Sequence, residues 1–294
     1  MLYFYGKQKG MHTIKTICVC GAGTMGSGIA QVIALAGYTT IQFDLDNEML
    51  VKSRTAIEKN LRWLAEKGKI NTEQMVQALN QLVFTSQVTD CVADLVIEAI
   101  IEKKEAKTGL FNQLAQVNTR ETIFATNTSS IAVSLIAKEV PYPERVAGMH
   151  FFNPAPLMKL VEVIKTAQTD AAVVQTITQL ATKLGKTAVV CKDSPGFIVN
   201  RVARHYYLEA MKLAEEGLAT IETVDTVMEA TGFKMGPFKL MDLIGMDINY
   251  GVSNIVWEAL GKPERLTPSP LQKQKVDAGE LGRKTGKGFY AYEK

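Results

Sequence analysis

The sequence predicts an α/β protein of two domains, a doubly wound parallel sheet followed by a smaller all-helical domain. Three observations carry that reading. Short apolar runs alternate with helical stretches from residue 15 to about residue 195. A glycine-rich turn, Gly21-Ala-Gly-Thr-Met-Gly26, joins the first apolar run to the first helical stretch. Past Ser194-Pro195-Gly196 the pattern turns helical and rich in Leu and Ala. The expected division is a leader over 1–12, a sheet domain over 13–196 and a helical domain over 197–294.

The expected strands, in order, are Thr16–Cys20, Thr39–Phe43, Leu95–Glu98, Thr122–Thr126, Arg145–Met149, Lys159–Val163 and Ala188–Cys191, each a short apolar run. Between the second and third lies one long helical arm, Glu48 to Ala78, with Lys59 and Arg62 on a shared face and Lys67 and Lys69 further along. Most such charge is a solvated face; the alternative is a greeting surface for an anionic substrate handle. In the second domain the expected helices are Phe197–Glu216, Thr223–Thr231 and Ile248–Leu260. Residues 262–270, with three prolines, read as a loop, and Phe289–Tyr292 as a closing strand.

The leader carries Tyr3, Phe4 and Tyr5 ahead of Lys7 and Lys9. A secretory signal places its charge first and its apolar run second, so this stretch does not fit one. Met11 is a plausible start, and disorder or a non-native extension is the expectation for what precedes it.

Composition bounds the function. The chain has 294 residues, 47% hydrophobic and 21% charged, with a net charge of +3, ordinary values for a globular enzyme. No basic run is interleaved with aromatics, which argues against nucleic acid, and nothing reaches the roughly 18 unbroken apolar residues of a membrane span. Cys18, Cys20, Cys91 and Cys191 follow no metal-ligand spacing, so no metal site is expected. Reduced, buried thiols in a cytoplasm are expected, with Cys18 and Cys20 on one face of their strand.

The glycine turn supplies the first chemistry. Strand, glycine turn and helix together form the Rossmann-type dinucleotide site: Gly21 permits the tight turn, Gly23 lets backbone approach a pyrophosphate, and Gly26 lets helix pack on strand. Thr24 and Met25 complete the same cofactor-binding turn, where free N–H groups and the helix dipole favour an anion. Asp44, ending the second apolar run, stands where an acidic residue accepts from the adenine ribose diol. No Arg or Lys follows it in Leu45-Asp-Asn-Glu48 to receive a 2′-phosphate, which points to NAD rather than NADP.

Only three histidines exist, which narrows the search for a general base. His12 lies in the leader and His205 in a helical stretch. His150 ends the apolar run Val146-Ala-Gly-Met-His150, at the strand end where open α/β sheets present ligands. Glu162 stands inside Leu160-Val-Glu-Val-Ile164, where a carboxylate needs a partner. A His150–Glu162 pair accounts for both: the carboxylate fixes the tautomer and stabilises the imidazolium, leaving the other nitrogen to accept a proton. The competing reading is a surface histidine and an unrelated edge-strand glutamate. Ser129, in Asn127-Thr-Ser-Ser130, and Asn200, at the start of the helical domain, are candidates to hold a substrate oxygen; taken singly, each is otherwise a turn or helix-surface residue.

The chain resembles the short-chain L-3-hydroxyacyl-CoA dehydrogenases, in particular the bacterial 3-hydroxybutyryl-CoA dehydrogenase branch. The resemblance rests on GAGTMGSGIA (21–30), DLVIEA (94–99), NTSS (127–130), HFFNPAPLMKLVEVI (150–164), KDSPGFIVNR (192–201), MGPFKLMDLIGMD (235–247) and LGRKTGKGFY (281–290). It implies oxidation of an (S)-3-hydroxyacyl-CoA to the 3-ketoacyl-CoA with NAD, with His150 as catalytic base, Glu162 as its carboxylate partner, and Ser129 and Asn200 as ligands of the substrate oxygen. It places Asp44, Glu102, Lys107, Ser129 and Asn153 near the cofactor, sets the arm carrying Lys59, Arg62 and Lys67 against coenzyme A, and makes the helical domain a homodimer interface. Two rivals stand beside it. Dehydrogenases of the 3-hydroxyisobutyrate or 6-phosphogluconate type share the glycine turn but use a lysine, against which the His–Glu pair argues. A non-catalytic, crystallin-like protein would have no reason to keep His150, Glu162, Ser129 and Asn200 together.

Overall fold

The computed structural model describes residues 13–293; the leader reading, with Met11 and His12, lies outside the described residues. The described residues divide into two compact units, the first ending at Asp193 and the second beginning at Ser194.

Among the described residues the first unit has eight strands: β1 (Thr16–Cys20), β2 (Thr39–Phe43), β3 (Leu82–Thr85), β4 (Leu95–Glu98), β5 (Ile123–Thr126), β6 (Val146–Phe151), β7 (Leu160–Lys165) and β8 (Thr187–Lys192). They form one sheet in the order β3-β2-β1-β4-β5-β6-β7-β8. The chain leaves β1 toward one edge and returns past it to β4, so the order reverses between β1 and β4, the crevice where such sheets bind ligands. Six helices accompany the strands: α1 (Thr24–Leu35), α2 (Asn47–Glu66), α3 (Thr72–Asn80), α4 (Lys104–Val117), α5 (Val133–Ala137) and α6 (Ala171–Lys183). Alternation along the strands divides the core. Ile17, Val19, Ile97, Ala125 and Met149 join Ile29 and Ile33 of α1, Ile57 and Leu61 of α2, and Ile177 of α6 in one cluster. On the other face Phe124 of β5 meets Phe111 of α4 edge-on at 5.3 Å. With both faces covered, the central strands β4, β5 and β6 are buried at every residue, which is why they read as mainly apolar runs broken only by Glu98, Thr126 and His150 near their ends.

The sheet departs from the all-parallel expectation at one step: β6 and β7 are antiparallel, with His150 directly opposite Glu162. Residues 152–159 alone connect them, too few for a parallel crossover, which needs a dozen or more. Two further differences lie near the edge. The expected single arm is two helices. α2 ends in a turn in which Gly68, at φ +63°, donates to Ala65 and Lys69 donates to Leu64. α3 then starts at an Asn71–Gln74 capping box. Edge strand β3, absent from the expected set, pairs with β2 through only four residues, three half-buried and one exposed.

Cys18 and Cys20 do share a strand face, their sulfurs 3.7 Å apart. Cys91 is buried too, but Cys191 on β8 is only half-buried, with burial pushing its thiol up to about 11.

The second unit is helical: α7 (Val199–Glu215), α8 (Ile221–Ala230), α9 (Pro237–Ile244), α10 (Met246–Ala259) and α11 (Pro270–Asp277). Tyr207, Met211, Phe238, Met241, Met246 and Val256 form its core. Asp225 of α8 caps α9, its two carboxylate oxygens accepting from the backbone N–H of Phe238 and Lys239. A Cβ at Gly236 would lie 2.3 Å from that carboxylate, so only glycine fits there. The expected closing strand over Phe289–Tyr292 is not one; within this stretch Ala291 makes one isolated bridge, with Lys287. Its apolar character has another cause: Phe289 packs edge-on against Phe238 at 4.7 Å, while the Tyr290 and Tyr292 hydroxyls donate to Asp225 and Asp242. The stretch expected as a loop over 262–270 holds one short turn of helix, Glu264–Leu266.

Candidate active site

The glycine turn is shaped by exclusion. Gly21 has φ +103°, and a Cβ there would stand 2.5 Å from the Ala99 carbonyl oxygen. A Cβ on Gly26 would lie 1.8 Å from the carbonyl oxygen of Gly21, so helix and strand approach as closely as backbone allows. Gly23 has nothing within 4 Å of where its Cβ would be, leaving open space beside the start of α1. No side chain caps that helix, so its first N–H groups are available to an anion. Thr24 is exposed and Met25 half-buried at this same end.

Asp44, just past β2, is held in place by two backbone donors, Ala22 N–H to Oδ2 at 2.7 Å and Asp46 N–H to Oδ1 at 3.0 Å. Each oxygen keeps a second lone-pair direction for a diol. Beside it runs a groove of about 670 Å³, lined by Gly21, Asp44, Leu45, Ile100, Ile101 and Glu105 among others. Leu45 and Ile101 are well exposed apolar side chains there, as a flat heterocycle would require. The lining contains acidic residues and no Lys or Arg, so it fits an adenosine with a free 2′-hydroxyl better than one bearing a 2′-phosphate.

Sheet register brings the next group together. Because β6 and β7 run antiparallel, His150 and Glu162 are direct cross-strand neighbours on one face. His150 Nδ1 lies 2.8 Å from Glu162 Oε2, and Nε2 lies 3.2 Å from the Ser129 hydroxyl. Both members of the pair are buried. Phe152 packs on the imidazole with ring centroids 4.6 Å apart. A carboxylate on Nδ1 favours the tautomer with its proton there, which leaves Nε2 as the acceptor on the Ser129 side.

Glu102 and Lys107 sit beside the Ser129 turn. Glu102 Oε1 accepts from the Thr128 hydroxyl, the Ser129 N–H, the Ser130 N–H and the Ser130 hydroxyl, at 2.6 to 3.1 Å. Its other oxygen is 3.1 Å from the Lys107 ammonium. Burial alone would raise the Glu102 carboxyl; the Lys107 charge and the Thr128 and Ser130 donors outweigh it and hold the group below the usual carboxylate range. Lys107 is itself buried, so it serves this site through its partners. Asn153 is exposed, in the connection after His150.

Asn200 belongs to the second unit, in the first turn of α7, where its carbonyl accepts from Arg204. Lys59, Arg62 and Lys67 are exposed on α2 and at its end. Among the described residues no three His, Cys, Asp or Glu side chains gather where they could hold a metal ion.

Several residues that sequence reasoning passed over build this site. Gln42, buried in β2, donates to the Gly21 carbonyl at 3.0 Å and accepts from Ser53 at 2.9 Å, fixing the glycine turn. Asn127 accepts from the Phe151 N–H at 2.7 Å, tying the end of β5 to β6 beside His150. Glu98 ends β4 fully buried, accepting from Lys107 and Thr126 at 2.7 Å each. Removing one partner of a buried ion pair typically costs about 3–5 kcal/mol, so the Glu98–Lys107 contact is a firm anchor. Gln42 and Glu98 carry the signal that singled out Glu162: a polar side chain inside an otherwise apolar strand.

Comparison with known proteins places the chain in a family. The family model described as 3-hydroxyacyl-CoA dehydrogenase, NAD binding domain, matches residues 16–194, and that described as 3-hydroxyacyl-CoA dehydrogenase, C-terminal domain, matches residues 196–292. The chain is 45% identical over 285 residues to a 3-hydroxyadipyl-CoA dehydrogenase of Escherichia coli, an alignment covering 95% of this chain but only 59% of that relative's length. It is 42% identical over 276 residues to a probable 3-hydroxybutyryl-CoA dehydrogenase of Deinococcus radiodurans, covering 93% of this chain and 99% of the relative. The crystal structure of an (S)-3-hydroxybutyryl-CoA dehydrogenase from Ralstonia eutropha is similar with a TM-score of 0.92 at 35% identity, covering 96% of this chain and 100% of that one.

Proposed function

The chain belongs to the 3-hydroxyacyl-CoA dehydrogenase family and is an NAD-dependent oxidoreductase; from that premise we propose that it interconverts (S)-3-hydroxybutyryl-CoA and acetoacetyl-CoA, with His150 as general acid/base oriented by Glu162. The observation that carries the reading is the buried imidazole with a carboxylate on Nδ1 and a serine hydroxyl on Nε2. NAD supplies the hydride acceptor when it is bound in the Gly21–Gly26 and Asp44 groove. In the oxidative direction Nε2 of His150 takes the proton of the C3 hydroxyl, and Glu162 stabilises the imidazolium that results. In the reductive direction the imidazolium returns that proton to the C3 oxygen. Ser129 and Asn200 hold that oxygen and polarise the ketone. The Asn127 clamp and the Glu102 bonds keep the surrounding strand ends in place, so the groups are positioned before substrate arrives.

The exposed Lys59, Arg62 and Lys67 side chains complement the phosphates of coenzyme A in this reading. The active protein is a homodimer through the helical unit and acts in the cytoplasm; no helix among the described residues is long and apolar enough to cross a membrane. The test is NADH oxidation with acetoacetyl-CoA beside free acetoacetate. Robust turnover of the thioester and little of the free acid is expected. Failure to oxidise NADH with acetoacetyl-CoA overturns the substrate assignment.

A further inference from the structure

We propose that Glu98 is a positioning residue for this reaction, holding the Thr128–Ser130 turn, and with it the Ser129 hydroxyl, against His150 through Lys107 and Glu102. The inference rests on the function proposed above, to which it adds a residue that makes no contact with the reacting groups.

Glu98 is the last residue of β4 and the one charged side chain in Leu95-Val-Ile-Glu98, a strand buried at every position. Its Oε1 accepts from the Lys107 ammonium at 2.7 Å and from the Ile100 N–H at 2.8 Å, and its Oε2 from the Thr126 hydroxyl at 2.7 Å. Lys107 is as deeply buried and spans from Glu98 to Glu102. Glu102 gathers three successive residues of the turn, and the middle one places its hydroxyl 3.2 Å from His150 Nε2. The arrangement is therefore continuous from a buried carboxylate to the imidazole.

Glu98 is needed for a physical reason. Glu102 lies at the rim, its side chain partly open to solvent, and a carboxylate there is drawn outward by water. Lys107 opposes that only if its own ammonium is fixed. With Glu102 as sole partner, the flexible lysine stem and the carboxylate would move together. A second carboxylate behind the ammonium, itself pinned by Thr126 and Ile100, removes that freedom. Register adds a further constraint, since Glu98 pairs with Thr126 and the turn begins two residues later.

A purely structural Glu98 would lower stability and leave the chemistry of the folded protein unchanged; a positioning Glu98 would not. The test uses the full chain and the variants Glu98→Gln, Glu98→Asp and Ser129→Ala, singly and with each Glu98 variant combined with Ser129→Ala, with folding checked by circular dichroism. Glu98→Gln keeps the size and an acceptor while removing the charge. It is expected to lower kcat for acetoacetyl-CoA reduction by about 10- to 100-fold, the scale of losing fine placement of a reacting group. KM should change less than about threefold. In the Ser129→Ala background the same substitution should lower kcat by less than about threefold, because the group it positions is gone. An independent readout is the His150 imidazole in NMR titration, identified among the three histidines by its loss in His150→Gln. Its chemical shifts and titration curve should move in Glu98→Gln. Should Glu98→Gln fail to fold, Glu98→Asp, which keeps the charge but draws the carboxylate back from Lys107 and Thr126, is expected to lower kcat by about two- to fivefold with the same dependence on Ser129, whereas Thr126→Val would also remove the hydroxyl that accepts from the Thr128 N–H at 3.3 Å. A folded Glu98→Gln protein with wild-type kcat and an unchanged His150 titration overturns the proposal. So does a loss of full size in the Ser129→Ala background. If the wild-type chain does not reduce acetoacetyl-CoA, the substrate reading fails by itself, and the His150 titration still decides the role of Glu98.

Discussion

At the scale of single residues, the proposed reaction turns on the His150 imidazole, and its contact with Glu162 makes a separable prediction. Glu162→Gln keeps the shape of the strand pair but removes the charge that stabilises the imidazolium, so turnover should fall while the NADH dissociation constant changes little. Combined with His150→Gln, the loss should be far smaller than the product of the single losses, since an orienting carboxylate has nothing left to orient. A multiplicative double-mutant loss, measured in the same acetoacetyl-CoA assay, would show independent action. In the proposed site Asp44 selects the cofactor. Its oxygens are fixed by Ala22 and Asp46, and a 2′-phosphate would meet a carboxylate in a groove without a basic residue. Catalytic efficiency with NADH should exceed that with NADPH, and Asp44→Ser with Leu45→Arg should move the preference toward NADPH. Equal efficiencies in the wild type would contradict the reading. At this scale much is legible in the sequence, because a glutamate in an apolar strand and a histidine at a strand end each ask for a partner. Glu98 asked the same question, but its answer, Lys107, comes from a helix on the sheet face, and only the fold brings the two together.

At the scale of elements, the antiparallel β6–β7 step places Glu162 across from His150. The short 152–159 connection already argues for it, and reading the alternation as a uniform parallel sheet hides it. The break between α2 and α3 is legible from Gly68 and the Asn71–Gln74 box, but the continuing charge pattern covers it. Strand β3 is harder to see, since four residues with a half-exposed pattern carry almost no periodicity. The α2 arm predicts salt-sensitive binding. Single neutralisations of Lys59, Arg62 and Lys67 should raise KM for acetoacetyl-CoA at low salt and matter less at high salt, because exposed charges are screened beyond about 10 Å at 0.1 M. Unchanged KM in all three would remove the arm from the binding surface.

The C-terminal turns make a prediction about stability. Lys275 and Lys287 both lie 2.5 Å from Glu280 and hold its carboxyl down at about 2, against 4.5 unperturbed. A depressed folded-state value stabilises above the unfolded one, so this contribution should be present above pH 4.5 and lost as pH falls toward 2. Thermal midpoints should therefore differ between wild type and Glu280→Gln at pH 7 and converge near pH 2. A gap that stays constant with pH would contradict the pairing.

At the scale of the whole molecule, the alternation of strands and helices and the switch to helices after residue 196 are visible in the chain because burial on both sheet faces forces apolar runs, while helices need only a stripe. The tail shows the limit of such patterns: a half-buried aromatic run that packs Phe289 and Tyr290 against a helical core looks like a strand. The reaction also has a proton balance that no site can alter, since oxidation releases one proton with each NADH. The ratio of ketoacyl to hydroxyacyl thioester at equilibrium should rise by about tenfold per pH unit at a fixed cofactor ratio. In the proposed mechanism His150 adds a kinetic layer, because reduction there uses the imidazolium and oxidation the neutral ring. The most direct test of that assignment is the pH–rate profile of acetoacetyl-CoA reduction for the wild type and His150→Gln, with NADH binding measured alongside. The account predicts a wild-type rate that falls on the alkaline side, and a variant about 10²- to 10⁴-fold slower that lacks this limb and still binds NADH. A variant that keeps both the wild-type rate and the alkaline limb would contradict it.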